Sequence, residues 1–381
     1  MQFDTHVCLV SAQAAPNLLP LLDAQLKPRA VILVVTPQMA DRAKWLEATI
    51  RPLGIQVQQL PLQNPDNFDS IQEVLLNVLA EHEGESIALN VTGGTKWMAI
   101  AAQQVFRDNG AAVFYVDIDT DRVMMPEGDH QPHTLHQQIR LKQYLQAYGY
   151  NTTGDNAAAG LTELHKDLCQ ILVGKVDEWE LALGLLNKLA SEAEDKNTLR
   201  IDSGDAKYWP EGFNALLKEC EHANVLSTQG GKDMRFTSDT NRAFANGGWL
   251  EHYVNSTLNT LRNEKLLQDR SYLNVEIVNQ HSQTKNELDI AFMARNRLHV
   301  VECKTRRMQG AGNSGKNNTT DALYKLDSVT ELAGLATRSM LVSYRKLNRA
   351  DRQRATDLRI KVVEGADIRV LKRKLQEWIK G

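Results

Sequence analysis

Short apolar runs alternate with helical patterns through the first third of the chain. Residues 6–10, 30–35 (AVILVV), 55–60, 87–91 and 111–116 (AAVFYV) have the length and composition of buried strands. Between them, residues 39–51, 69–82 and about 95–109 read as helices, with apolar positions three and four apart. This alternation predicts a parallel sheet covered by helices, a Rossmann-like α/β domain over residues 1–145. From residue 161 the pattern turns helical, over 161–173, 178–193 and 213–223. VLSTQGGKDMRFT then reads as a hairpin turning at 229–232. Helix followed by hairpin resembles a winged helix, so residues 146–245 are expected to form a helical linker. Over 246–381 a second α/β domain is predicted: helix 249–261, strands 271–278, 288–292 and 298–303, helix 321–336 and strand 339–343.

Polar residues that interrupt the apolar runs change this picture most. MARNR separates 288–292 from 298–303 and predicts a β-hairpin. Asp289 interrupts its first strand. Glu302 and Lys304 interrupt the second and, two residues apart, share a face. A charge inside a buried strand is costly unless paired or bound to metal. Two carboxylates and an ammonium suit a hard divalent cation and a polarised water, the chemistry of phosphodiester cleavage. They suit a salt bridge at the rim of a sheet equally well.

Two strand ends also stand out. SAQAAPN follows Val10, and Thr92-Gly93-Gly94-Thr95-Lys96 follows Val91. Paired glycines let backbone N–H groups approach an anion. The next helix turns its positive end toward the loop, and Lys96 adds a full charge. The segment is read as a phosphate cradle, with a tight, capped strand-to-helix turn as the other reading. Neither GxxxxGK[ST] nor GxGxxG occurs, which argues against a P-loop and a dinucleotide cofactor.

Composition sets wider bounds. A chain of 381 residues exceeds one ordinary core. Hydrophobic content of 42% and charged content of 24% are those of a soluble globular protein. The net charge of −3 does not announce a nucleic-acid binder, but local patches outweigh the total. The basic stretch 345–374 suits either a phosphate backbone or a solvated face. The four cysteines are scattered without a CxxC pair, so no zinc ribbon or disulfide framework is expected and a reducing cytoplasm is the simplest setting. Neither a signal peptide nor a membrane helix is expected. Asp117, Asp119 and Asp121 read as a solvated turn, and His130, His133 and His136 as a strap broken by Pro132. QGAGNSGKNNTT, 309–320, reads as a long polar loop beside the charged hairpin.

The order helix with Glu251, strand with Asp289, strand with Glu302-Cys303-Lys304, then helix resembles the PD-(D/E)xK core of the restriction-endonuclease-like superfamily. Glu302-x-Lys304 matches the (D/E)xK element, while Glu287-Leu288-Asp289 stands where that superfamily has proline–aspartate. The SAQAAPN and TGGTK loops resemble those of CARF, the CRISPR-associated Rossmann-fold sensor domain. Together, over about 1–145 and 245–381, the chain resembles the cyclic-oligoadenylate-activated CRISPR ancillary nucleases.

This resemblance implies a metal-dependent endonuclease in antiviral defence. Its activator would be a cyclic oligoadenylate, cyclic tetra-adenylate in the first instance, held across the two-fold axis of a homodimer. Ser11, Ala12, Gln13, Thr92, Gly93, Gly94, Thr95 and Lys96 are the implied contacts. Asp289 and Glu302 would ligate Mg²⁺ or Mn²⁺, with Glu251 and the Cys303 carbonyl as further ligands and Lys304 placing the attacking water. The substrate would be DNA, single-stranded or nicked duplex, with RNA as the alternative. Two other readings stay open: a ligand-independent repair or restriction nuclease, and a non-catalytic nucleotide-sensing transcriptional regulator.

Overall fold

A computed structural model describes residues 2–126, 131–153, 161–230, 232–267, 269–305, 319–332, 334 and 336–381. His130 and most of the glycine-rich loop, 309–318, lie outside the described residues.

The N-terminal domain runs β1 (Thr5–Leu9), α1 (Ala15–Leu22), β2 (Ala30–Val35), α2 (Ala40–Ile50), β3 (Gln56–Pro61), α3 (Phe68–Glu81), β4 (Ile87–Asn90), α4 (Lys96–Asp108), β5 (Ala112–Asp117), β6 (Arg122–Met124), β7 (His133–Thr134) and α5 (Leu141–Ala147). Its sheet has the order β3-β2-β1-β4-β5-β6-β7, with β1 to β5 parallel. β1 is buried along its whole length, as a central parallel strand covered on both faces must be. Asn67 and Thr95 cap α3 and α4 by accepting backbone N–H groups of the first turn. The chain winds outward from β1 to β3, then crosses back to β4. The crevice between the ends of β1 and β4 is therefore the topological switch point, where open α/β sheets bind ligands.

The middle segment comprises β8 (Tyr150–Thr153), α6 (Glu163–Gly174), α7 (Glu180–Asp195), β9 (Arg200–Asp202), α8 (Phe213–His222), β10 (Leu226–Gln229), β11 (Asp233–Phe236) and α9 (Asp239–Ala243). β9 to β11 form a small antiparallel sheet of order β10-β11-β9, so the helix-then-hairpin order read from the sequence is present.

The C-terminal domain follows with α10 (Trp249–Asn263), β12 (Tyr272–Asn279), β13 (Lys285–Ala294), β14 (Arg297–Lys304), α11 (Thr319–Leu332), β15 (Arg338–Ser343), α12 (Arg349–Asp357), β16 (Lys361–Glu364) and α13 (Leu371–Lys380). Its sheet has the order β16-β15-β14-β13-β12-β8. β8 comes from a stretch expected to be linker, yet pairs antiparallel with β12 as the edge of this sheet. The β13–β14 turn is shorter than the polar break suggested. Only Arg295 and Asn296 form it, at φ 50° and 54°, because a two-residue hairpin needs positive φ at both positions. Met293 and Ala294, which the sequence places in the break, are buried strand residues.

Strand alternation gives this sheet two apolar faces. Ile290, Phe292, Val301 and Cys303 join one core with Leu168, Leu172 and Trp249 of the helical segment and α10. Ala291, Met293, Leu298 and Val300 join another core with Tyr144 and Tyr148 of the N-terminal domain and Leu323 and Leu326 of α11. The middle segment is therefore no spacer. The N-terminal domain packs directly on one face of the C-terminal sheet, and the helical segment covers the other.

Candidate functional site

Asp289 and Glu302 share the strand parity of Ala291 and Val300, so both carboxylates belong to the face covered by α11. There they meet. Glu302 Oε1 accepts from Lys304 Nζ at 2.7 Å, and its other oxygen accepts from Lys325 Nζ of α11 at 2.7 Å. Lys325 Nζ also lies 3.5 Å from Asp289 Oδ1, while Asp289 Oδ2 accepts the backbone N–H of Cys303 at 2.8 Å. That N–H is open to a side chain because the β13–β14 ladder is paired only as far as Ile290 and Val301.

Glu251 comes from α10, the helix in the opposite core. The chain enters α10 through a kink at Gly247, whose φ of 124° excludes other residues and whose added Cβ would stand 2.5 Å from Thr305 Oγ1. This close approach holds the start of α10 against the end of β14. Glu251 there lines a cavity of about 510 Å³ together with Cys303, Lys304, Thr305, Asn274 and Glu287. Among the described residues no three His, Cys, Asp or Glu side chains converge closely enough to enclose a metal by themselves.

The electrostatics follow from burial. Burial, then the neighbouring charge of Asp289, pushes the Glu251 carboxyl up to about 8. Burial and Glu302 push Asp289 up to about 6. Burial works against the Lys304 ammonium, but Glu302 and Asp289 outweigh it and hold its pKa above the ordinary lysine value. Burial also holds the Cys303 thiol far above its usual range, so any role of Cys303 falls to its backbone.

At the other end of the molecule, the SAQAAPN and TGGTK loops flank the switch point. Ser11, Ala12, Gly94 and Thr95 line a cavity of about 380 Å³ with Thr36, Gln38 and Asp66, which the sequence pattern does not single out. A Cβ at Gly93 would stand 1.9 Å from Leu9 O, and Gly94 has φ 70°. Both glycines are thus dictated by backbone geometry. Thr92 Oγ1 donates to Asn90 Oδ1 and accepts from Val116 N–H, each at 2.7 Å, so its hydroxyl is engaged within the protein. Asn90 Nδ2 donates to Asn17 Oδ1 at 3.0 Å, and Asn17 Nδ2 donates to Leu9 O at 3.0 Å. Asn17 and Asn90 are buried and lock the two loops together; an asparagine ending a buried strand is the signal that would have found Asn90. Gln13 Oε1 accepts from Tyr148 OH at 3.3 Å, while Thr95, Lys96 and Ala12 are exposed.

The acidic turn is exposed at Asp119 and Thr120, as expected of a solvated turn, but it also contacts the C-terminal domain. Asp121 Oδ1 accepts from Asn296 Nδ2 at 2.8 Å, Asn296 Oδ1 accepts Ile139 N–H at 3.0 Å, and Asp119 pairs with Arg297. The turn of the β13–β14 hairpin is thus anchored in the N-terminal domain, and its far end carries Asp289, Glu302 and Lys304. Much of the basic stretch is engaged internally: Arg345 with Glu180, Arg352 with Glu364, Arg369 with Asp177 and Lys372 with Glu264. No helix among the described residues is long and apolar enough to cross a membrane.

Two family models match the chain: the Card1 CARF domain over residues 5–144 and the Card1-like endonuclease domain over residues 238–381. Among solved structures, the chain is similar to protein VC1899 from Vibrio cholerae, at 25% identity and TM-score 0.89, over 99% of this chain and 98% of that one. It is similar to Can2 from Sulfobacillus thermosulfidooxidans, solved in complex with cyclic tetra-adenylate, at 29% identity and TM-score 0.83, over 100% of each chain. It shares the fold of a type III CRISPR defence DNA nuclease activated by cyclic oligoadenylate, at 21% identity and TM-score 0.58, over 91% of this chain and 46% of that one. No curated protein sequence matches.

Proposed function

The chain is a CARF sensor domain fused to a Card1-like endonuclease domain, and from this pairing we propose that it is a nuclease of CRISPR defence switched on by a cyclic oligoadenylate. The observation that carries the reading is the meeting of Asp289, Glu302 and Lys304 at one end of a hairpin whose turn is anchored in the sensor domain. A salt bridge at a sheet rim would need only balanced charges. Here Glu302 is shared by two ammonium groups, Lys304 and Lys325, and a further carboxyl that no ion pair requires, Glu251, opens onto a cavity of about 510 Å³ that Lys304 also lines.

The donor set suits a hard divalent cation: carboxylate oxygens of half-buried Asp289 and buried Glu302 that already attract a cation, with Glu251 and the Cys303 carbonyl close by. Asp289 and Glu302 would hold Mg²⁺ or Mn²⁺, which when bound supplies Lewis-acid stabilisation of charge on the scissile phosphate. Lys304, its position set by Glu302, places the attacking water and neutralises charge that builds on the phosphate oxygens. Glu251 in its carboxylate form accepts a proton from, or orients, a water in the cavity. The substrate we assign is DNA, single-stranded or nicked duplex, with RNA as the comparison in any assay.

The activator sits at the β1–β4 switch point, over Ser11, Ala12, Gln13 and Thr92 to Lys96. The backbone of Gly93 and Gly94 approaches phosphate there, the α4 N-terminus faces it, and Lys96 adds charge. Cyclic tetra-adenylate is the ring we favour, because Can2, with which this chain aligns throughout, was solved with it. A symmetric ring calls for a homodimer. Helix α4 presents Trp97 and Ile100, 49% and 57% exposed, immediately after the loop, an apolar surface suited to a second copy. Activation is a shift in population toward the arrangement that binds ligand better. It reaches the hairpin through Asp119 and Asp121 and through the shared core.

The test is cleavage of single- and double-stranded DNA and RNA in Mn²⁺, with and without cyclic tetra-adenylate. Ligand-dependent cleavage is expected. Full-rate cleavage without ligand would favour a constitutive nuclease, and specific duplex binding without cleavage a regulator.

A further inference from the structure

Lys325 is absent from the ExK pattern, yet it makes the contact that spans both catalytic carboxylates. Its ammonium lies 2.7 Å from Glu302 Oε2 and 3.5 Å from Asp289 Oδ1. The remaining oxygens of the pair are taken by Lys304 and by the Cys303 N–H. The Glu302 side chain is only 2% exposed, so solvent cannot compensate its charge.

We propose that Lys325 is an internal counter-ion that competes with the divalent cation for Asp289 and Glu302, and must swing out before metal can bind. The proposal rests on the reading that these two carboxylates hold metal. Two carboxylates in dry surroundings repel each other, and a cation between them offsets both the repulsion and the desolvation. Lys325 supplies that cation from α11, so the metal-free pair is stable. A divalent ion held by Asp289 and Glu302 would compete with the ammonium for the same carboxylates, because two cations at that distance repel. Withdrawal needs no movement of the helix. The Lys325 side chain is 31% exposed and has solvent to turn into, whereas Lys304, 24% exposed, is the last residue of β14 and contacts only one oxygen of Glu302.

The experiment is calorimetric titration of Mn²⁺ into the full chain, with melting temperature in EDTA measured in parallel. Lys325→Met is expected to bind Mn²⁺ about tenfold more tightly, the equivalent of about 1.4 kcal/mol, and to melt lower in EDTA. Lys325→Arg, which keeps the charge, should stay near wild type in both. Lys325→Gln serves if the methionine variant does not fold. Equal or weaker Mn²⁺ affinity in the neutral variants overturns the competition and leaves the metal site standing. Absence of Mn²⁺ binding in wild type and variants alike, matching a Glu302→Gln control, overturns the metal reading and the competition with it.

Discussion

The two ends of this molecule prepare for charged partners by opposite means. At the β1–β4 crevice the work is done by backbone: Gly93 fits against Leu9 O, Gly94 takes a positive φ, and Asn17, Asn90 and Thr92 use their polar atoms to hold the loops. The acidic residue in that lining, Asp66, is exposed to solvent. At the hairpin the work is done by side-chain charge. Glu302 is buried and Asp289 half-buried, and Lys304, Lys325 and a backbone N–H hold them, so a new cation there would compete with an existing partner. A site built from backbone is ready as soon as the chain folds; a site built from buried charge is already compensated and opens only by exchange. That contrast suits a sensor that must always be receptive and an effector that must not act unprompted.

The contrast can be broken most sharply at Glu302. Glu302→Gln removes one of the two carboxylates we propose to hold metal, and the partner of both lysines. Cleavage should fall by roughly a thousandfold or more, while calorimetry finds the affinity for cyclic tetra-adenylate unchanged. Wild-type cleavage by the purified variant would place the chemistry elsewhere. Gly93→Ala tests the other end. With a Cβ 1.9 Å from Leu9 O the β1 and TGGTK loops must separate. A loss of about 1–3 kcal/mol of stability is expected by thermal melting, together with loss of ligand binding and retention of Mn²⁺ binding. Wild-type ligand affinity in this variant would refute the backbone cradle.

Lys96→Ala removes an exposed charge and leaves the cradle intact. Ligand binding should weaken by about tenfold, near 1.4 kcal/mol, with full cleavage restored at saturating ligand. Unchanged affinity would assign Lys96 to solvent.

The smallest effect expected is a pH dependence of the metal-free protein. Glu251 has an ordinary pKa of 4.5 and is raised to about 8 in the fold. Between those values the unfolded chain has lost a proton that the folded chain keeps, so stability must fall as pH rises through this window. Melting in EDTA should drop by roughly a few degrees from pH 5 to 8, and Glu251→Gln should flatten the upper half of that fall. Asp289, raised to about 6, leaves a smaller slope below it. A flat profile in wild type would show Glu251 ionised throughout.

The sequence by itself determined the two α/β domains and the nature of the charged positions. Strand and helix periods are local, and a charge inside an apolar run such as 288–292 or 298–303 stands out without any neighbour. The glycines of TGGTK were legible for the same reason, since backbone demands are written one residue at a time.

What lay far apart in the chain was not legible. Lys325 is one lysine on an amphipathic helix, and only the packing of α11 on the β13–β14 face brings it to Glu302. Asp119 and Asp121 look like a solvated turn until Asn296 and Arg297 arrive from the other domain. The segment read as a linker became an edge strand and the cover of one sheet face, because a strand with two apolar faces does not state which partner covers which. Partners across a sheet face are chosen by packing, and only the tertiary structure decided them.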